Sequence, residues 1–118
     1  MLDPTKRMDS WNTEHWFPQK PKDNSITERL NNQNIIHNIG NLILIPTELN
    51  NKLNNLAPDE KAKKVKEDQK YSILANGHLQ AFVEENESFH KIWADQHIID
   101  RAKKLAAQCY NIYWKFAP

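Results

Sequence analysis

The sequence predicts an α+β fold that is mainly helical, a small β-hairpin plus helix packed on additional C-terminal helices. Strand-type composition is confined to three short stretches, Trp11–Phe17, Ile35-Ile36 and Leu42–Ile45. Helix-start signals follow from Thr47 onward, and residues 98–116 carry a single apolar face at helical spacing.

Taken in order, residues 1–9 read as a short arm. Trp11–Phe17 (WNTEHWF) is aromatic-rich and reads as a strand ended by Pro18. PQKPKDNS is a loop, and Ile26–Asn34 is either a helical turn or more loop. Ile35-Ile36 and Leu42–Ile45 bracket Gly40-Asn41, which predicts strand, turn or bulge, strand, stopped by Pro46. Thr47 is a suitable N-cap for TELNNKL. Pro58, Asp59 and Glu60 open a second helix running to a stop at Asn76-Gly77. A third covers His78 to Glu85. In the last, Ile98, Ala102, Leu105, Cys109, Ile112 and Phe116 recur at steps of four and three, one core-facing stripe of about five turns.

With 118 residues the chain has room for one domain. Charged residues at 26% and hydrophobic ones at 39% give an ordinary globular balance. The mean hydropathy of −0.82 and short apolar runs exclude a membrane-spanning helix. MLDPTKRMDSW lacks the apolar core of an export signal, and the single Cys109 excludes an internal disulfide or a cysteine zinc knuckle. The expected compartment is therefore the cytoplasm. Sixteen Lys and Arg against fifteen Asp and Glu leave a net charge of +1. Contact with nucleic acid must then come from a local patch or a metal ion.

Two segments concentrate chemistry. In the first, Glu14 adjoins His15 ahead of Pro18. Strand alternation turns the two side chains to opposite faces, and the proline favours a bend that lets both serve one site. A carboxylate and a side-chain amide oxygen suit a hard divalent cation, and a neutral imidazole can take a proton from water. In the second, Asn41 follows Gly40, and Asn50 falls nine residues later at a helix start. Strand, turn and helix would carry Asn50 back toward Glu14.

This pattern resembles the HNH nucleases, the His-Me finger or ββα-metal fold: Glu14-His15 with Pro18, then Asn41-Leu42, then Asn50 with Lys52 following. It is most similar to the C-terminal HNH domain of GmrSD-type modification-dependent restriction endonucleases, in Glu14 to Gln19, His37 to Ile45, and Leu49 to Asn55, with Lys61 at the family's further lysine. Trp93, Ile98, Arg101-Ala102 and Leu105-Ala106 resemble the family's downstream helix. The resemblance covers about residues 11–114. It implies one nuclease domain over 1–118, with a motif region of about 11–56 and helical support over about 57–116.

The resemblance also implies roles. His15 would be the general base, and Glu14 and Asn50 would hold one divalent metal ion, Mg²⁺ or alternatively Mn²⁺. Asn41 would brace the loop carrying His15. His37 would stand behind His15, and Lys52 would contact phosphate. The expected activity is hydrolysis of DNA phosphodiester bonds in restriction of foreign DNA. Pro46 and Leu49 occupy the positions of the zinc-knuckle cysteines found in many HNH proteins, so no structural zinc is expected. The family's large nucleotide-dependent N-terminal domain implies either a missing domain or partner subunit, or else a small stand-alone relative. Two other readings stay open: a non-catalytic nucleic-acid-binding or docking module, and an RNA-cleaving nuclease.

The remaining features read as structural. His78, His90 and His97 lack metal-ligand spacing and read as solvated. Trp11, Trp16, Trp93 and Trp114 read mostly as core. Lys61, Lys63, Lys64, Lys66 and Lys70 alternate with acids and read as a solvated helix face, with a DNA-backbone patch as the alternative, and Cys109 reads as a buried core thiol.

Overall fold

The computed structural model describes residues 11–67 and 77–116, side chains included except those of 111–116. Strand β1 (Trp11–His15) pairs antiparallel with β2 (Leu42–Pro46), from Trp11 opposite Pro46 to His15 opposite Leu42. Helices α1 (Thr47–Leu53), α2 (Pro58–Glu67), α3 (Gly77–Glu85) and α4 (Asp95–Phe116) follow. The mainly helical α+β fold is thus present. Trp16, Phe17, Ile45, Leu49, Leu53, Leu79, Trp93 and Ile98 are fully buried and join the strand pair to all the helices but α2. Ala62 and Val65 bring α2 into the same core. Among the described residues no helix is long and apolar enough to cross a membrane.

The connection from β1 to β2 differs from the expected strand, turn, strand. It runs through three 3-10 turns, Asn24–Arg29, Gln33–His37 and Ile39–Asn41. Each is opened by a short side-chain acceptor: Asp23 takes the N–H of Ser25, Asn32 that of Asn34, and Asn38 that of Gly40. Such local bonds compete with a sheet ladder. Ile35 and Ile36 therefore sit in a 3-10 turn, and the partner of β2 is the strand carrying Glu14. β1 also stops earlier than expected. Beyond His15 the backbone of Phe17 bonds to the Asn41 side chain instead of a neighbouring strand.

The helix starts carry smaller corrections. Pro46, extended at φ −61° and ψ 144°, holds the cap position of α1, without a side-chain bond. Thr47 lies one residue inside, its hydroxyl buried and without a hydrogen-bond partner among the described residues. Gly77 is the first residue of α3, one before the expected start at His78. The expected continuation of α2 through residues 68–76 lies outside the described residues.

Among the described side chains, the last helix is buried chiefly in its first turns. Asp95 accepts the N–H groups of Asn31 and Asn32 at 2.8 and 3.1 Å, and Ile98 is buried. Arg101 donates to the carbonyls of Ile39, Gly40 and Leu42 at 3.3, 3.1 and 2.7 Å. Farther along, Ala102 and Leu105 are half-buried, and Cys109 is exposed, contrary to its expected place in the core. The helix rises about 33 Å at 1.5 Å per residue, and among the described elements it meets chiefly the turn at Ile39–Asn41. Ile112 and Phe116, the end of the expected stripe, have side chains outside the described residues.

Gly40 is required by this docking. A Cβ there would stand 1.8 Å from the carbonyl oxygen of Ile98, in the backbone of α4. Overpacking against a backbone cannot be relieved by a rotamer change. Gly40→Ala is expected to cost at least about 3 kcal/mol, at the upper end for overpacked sites. Urea unfolding measures it, and a variant as stable as wild type would show that α4 can move away freely.

His90 was expected in solvent, yet it is 3% exposed. Its Nδ1 accepts from Trp16 Nε1 at 3.2 Å, and its Nε2–H donates to the Val83 carbonyl at 2.9 Å. Burial holds its pKa below the usual histidine value, against the opposing pull of Val83. The unfolded chain therefore takes up a proton that the folded chain refuses. Stability is complete above about pH 6.5 and falls as the pH drops below it. The melting temperature should decrease on acidification to about pH 5.5, and less so in His90→Phe. An unchanged acid sensitivity in that variant would contradict the assignment. His78 is exposed as expected, bonding the Leu44 carbonyl, and His97 is half-buried against Trp93.

Candidate active site

The strand pair and α1 bring one end of each motif together. Glu14 lies opposite Ile43 in the ladder, and both point into the protein. The immediate passage from β2 through Pro46 into α1 places Asn50 on the inner side of the helix, beside β1. Asn50 Nδ2 donates to Glu14 Oε2 at 2.5 Å although 36 residues separate them. His15, half-buried, lines the same polar cleft of about 260 Å³, with Thr13, Gln19, Asn54 and Asn55 around it. Glu14, His15 and Asn50 are therefore neighbours. The His37 ring meets the His15 ring edge-on, with centroids 5.5 Å apart. Lys52 is exposed on the outside of α1, beyond Asn50.

Asn41 is fully buried and uses its whole amide. Its Oδ1 accepts from Phe17 N at 2.7 Å and from Trp93 Nε1 at 3.2 Å. Its Nδ2 donates to the Phe17 carbonyl at 3.0 Å and the Ile36 carbonyl at 2.9 Å. Its own carbonyl takes the N–H of Trp16 at 2.8 Å. One side chain thus pins the segment that leaves His15 to the turn before β2 and to the core tryptophan. It does not enter the cleft.

The side chain whose role the sequence reading did not foresee is Lys61, although the resemblance places it at the family's further lysine. It was assigned to a solvated lysine face, but it is fully buried. Its ammonium donates to Glu14 Oε1 at 2.6 Å and to the His15 carbonyl at 2.5 Å. The signal was present in the spacing. Lys61 shares its helix face with Pro58, Ala62 and Val65, the buried positions of α2, whereas Lys63, Lys64 and Lys66 face outward.

Burial pushes the Glu14 carboxyl up, opposed by Lys61 and Asn50, and pushes the Lys61 ammonium down, opposed by Glu14. The pair remains tied by a short bond inside the protein, where the loss of either partner strands the other. Burial also lowers the His15 pKa, and the nearby His37 and Lys61 lower it further. The imidazole is accordingly neutral near pH 7 and able to accept a proton.

Among the described residues no group of three His, Cys, Asp or Glu could hold a metal ion. A hard cation such as Mg²⁺ does not need one. It binds through one or two protein oxygens and keeps waters and phosphate oxygens for the rest. Glu14 Oε2 and the amide of Asn50 supply that donor set. Turning the Asn50 amide over would bring its Oδ1, in place of its Nδ2, next to the carboxylate oxygen. Two facing oxygens repel unless a cation lies between them, so in that flipped orientation these residues would suit one hard divalent ion.

A family model, the C-terminal domain of GmrSD restriction endonucleases, matches residues 2–108. No curated protein and no solved structure matches the chain. The matched span takes in the strand pair, the cleft residues, Lys61 and most of α4. On that match the chain belongs to the family of GmrSD restriction endonuclease C-terminal domains.

Proposed function

We propose that this domain is an HNH-type, metal-dependent endonuclease that hydrolyses DNA phosphodiester bonds with His15 as general base. The observation that carries the reading is the meeting of Glu14, His15 and Asn50 in one polar cleft. Membership of a restriction endonuclease family supports DNA as the substrate and defence as the setting.

Each residue has a distinct task in this reading. His15, held neutral, removes a proton from the attacking water. Glu14 and Asn50 hold one divalent ion, with Mg²⁺ the expected species. When bound, the ion supplies Lewis-acid stabilisation of the charge that builds on the phosphate and the leaving oxygen. Asn41 fixes the segment behind His15, so that the imidazole does not swing away from the scissile bond. His37 limits the His15 ring from one side, and Lys52 lies on the exposed face of α1 where a phosphate backbone can reach it.

The test is incubation of supercoiled plasmid with the purified protein in Mg²⁺, in Mn²⁺ and in excess EDTA. Nicked or linear product is expected with either ion and none with EDTA. A single-stranded RNA of similar length in parallel separates a deoxyribonuclease from a ribonuclease. Binding without cleavage under every ion would support a docking module instead.

A further inference from the structure

Lys61 brings a fixed cation to the same carboxylate that the divalent ion would use. Its ammonium is fully buried, 2.6 Å from Glu14 Oε1, so it cannot swing into solvent when a second cation arrives. Around the cleft no other lining side chain is a carboxylate: Thr13, His15, Pro18, Gln19, Asn50, Asn54 and Asn55. The negative charge of Glu14 is therefore already cancelled by Lys61. A divalent ion entering alone meets two oxygen donors of no net charge and a like charge just behind the carboxylate. Hard cations shed water reluctantly, and such a site offers little in exchange. A phosphodiester brings both the missing negative charge and further oxygen ligands.

We propose that Lys61 makes metal capture conditional on nucleic acid, so that the divalent ion binds tightly only together with a phosphodiester. This rests on the function proposed above and adds an order of assembly to it. By linkage the effect is mutual: the metal must tighten nucleic-acid binding by the same factor. Lys61 is a positioning residue here. It touches Glu14 and the His15 backbone, and it reaches the reacting atoms only through them. Uncoupled from DNA, the domain would leave cellular Mg²⁺ largely unbound.

The experiment is calorimetric titration of Mn²⁺ into the full-length His15→Ala protein, which should not cut, with and without a short DNA duplex. The duplex is expected to tighten Mn²⁺ binding about tenfold or more, within the usual range for coupled sites. Adding Lys61→Met, a neutral chain of similar length, should tighten Mn²⁺ binding in the absence of duplex and shrink the coupling. With His15 intact, the same substitution should slow cleavage, because Glu14 and His15 lose their shared anchor. A lysine that merely supports the fold would weaken metal binding and cleavage together. Equal Mn²⁺ affinity with and without duplex would overturn the inference while leaving the metal-dependent function standing, and it needs no Lys61 variant to fold. Absence of Mn²⁺ binding under both conditions would overturn the function as well.

Discussion

His15→Ala is expected to lower plasmid cleavage by about 10²–10⁴-fold, the range for loss of a positioned general base. The imidazole is half-buried at the cleft, and its neutral form is favoured first by burial and then by the nearby His37 and Lys61. Its removal exposes no buried partner, because Lys61 bonds the His15 backbone carbonyl and not the ring. The melting temperature and the affinity for uncleaved duplex should therefore stay near wild type. A purely chemical role predicts this separation of rate from fold and binding. A time course of cleavage next to a thermal melt measures both. Wild-type cleavage by the variant would remove His15 from the mechanism.

The second large effect is on stability. Asn41→Ala should destabilise the domain by at least about 3 kcal/mol, since each stranded buried polar group costs about 1–3 kcal/mol. Four partners lose their bond at once: the N–H and carbonyl of Phe17, the carbonyl of Ile36 and the indole N–H of Trp93. That is a large share of the roughly 5–15 kcal/mol that holds a domain of this size. Asn41→Asp should not rescue it, because a carboxylate cannot donate to the two carbonyls. Urea unfolding of both variants provides the measurement. A loss below about 1 kcal/mol would mean that water replaces the amide and that Asn41 is not the brace.

The helical half of the fold was legible because its signals are local. Pro58, Asp59 and Glu60 start α2 as their chemistry requires, and the apolar spacing near Ile98 marks a buried helix face. The ends of β1 and the path to β2 were not, because they are set at a distance. Whether the strand continues past His15 depends on the amide of Asn41, 24 residues from Phe17. The three 3-10 turns had a local signature in Asp23, Asn32 and Asn38, each two residues before the N–H it caps. General asparagine richness masked it. On α4, periodicity described a face without saying how much of it meets a neighbour, so Cys109 was misplaced.

The site divides in the same way. Glu14, His15, Asn41 and Asn50 stand out by residue type and order, which short motifs preserve. Lys61 was marked by the resemblance, but its burial hid among lysines, and its register with Ala62 and Val65 was the local sign of it. His90 gave no local sign of its burial, since its partners Trp16 and Val83 come from separate elements.

The most direct test of a one-metal site at Glu14 and Asn50 is anomalous diffraction from crystals of His15→Ala bound to a DNA duplex and Mn²⁺. The account predicts a single manganese peak in contact with both Glu14 and Asn50, with Lys61 still on the other carboxylate oxygen. Manganese bound away from Glu14 and Asn50, or a second ion displacing Lys61, would contradict it.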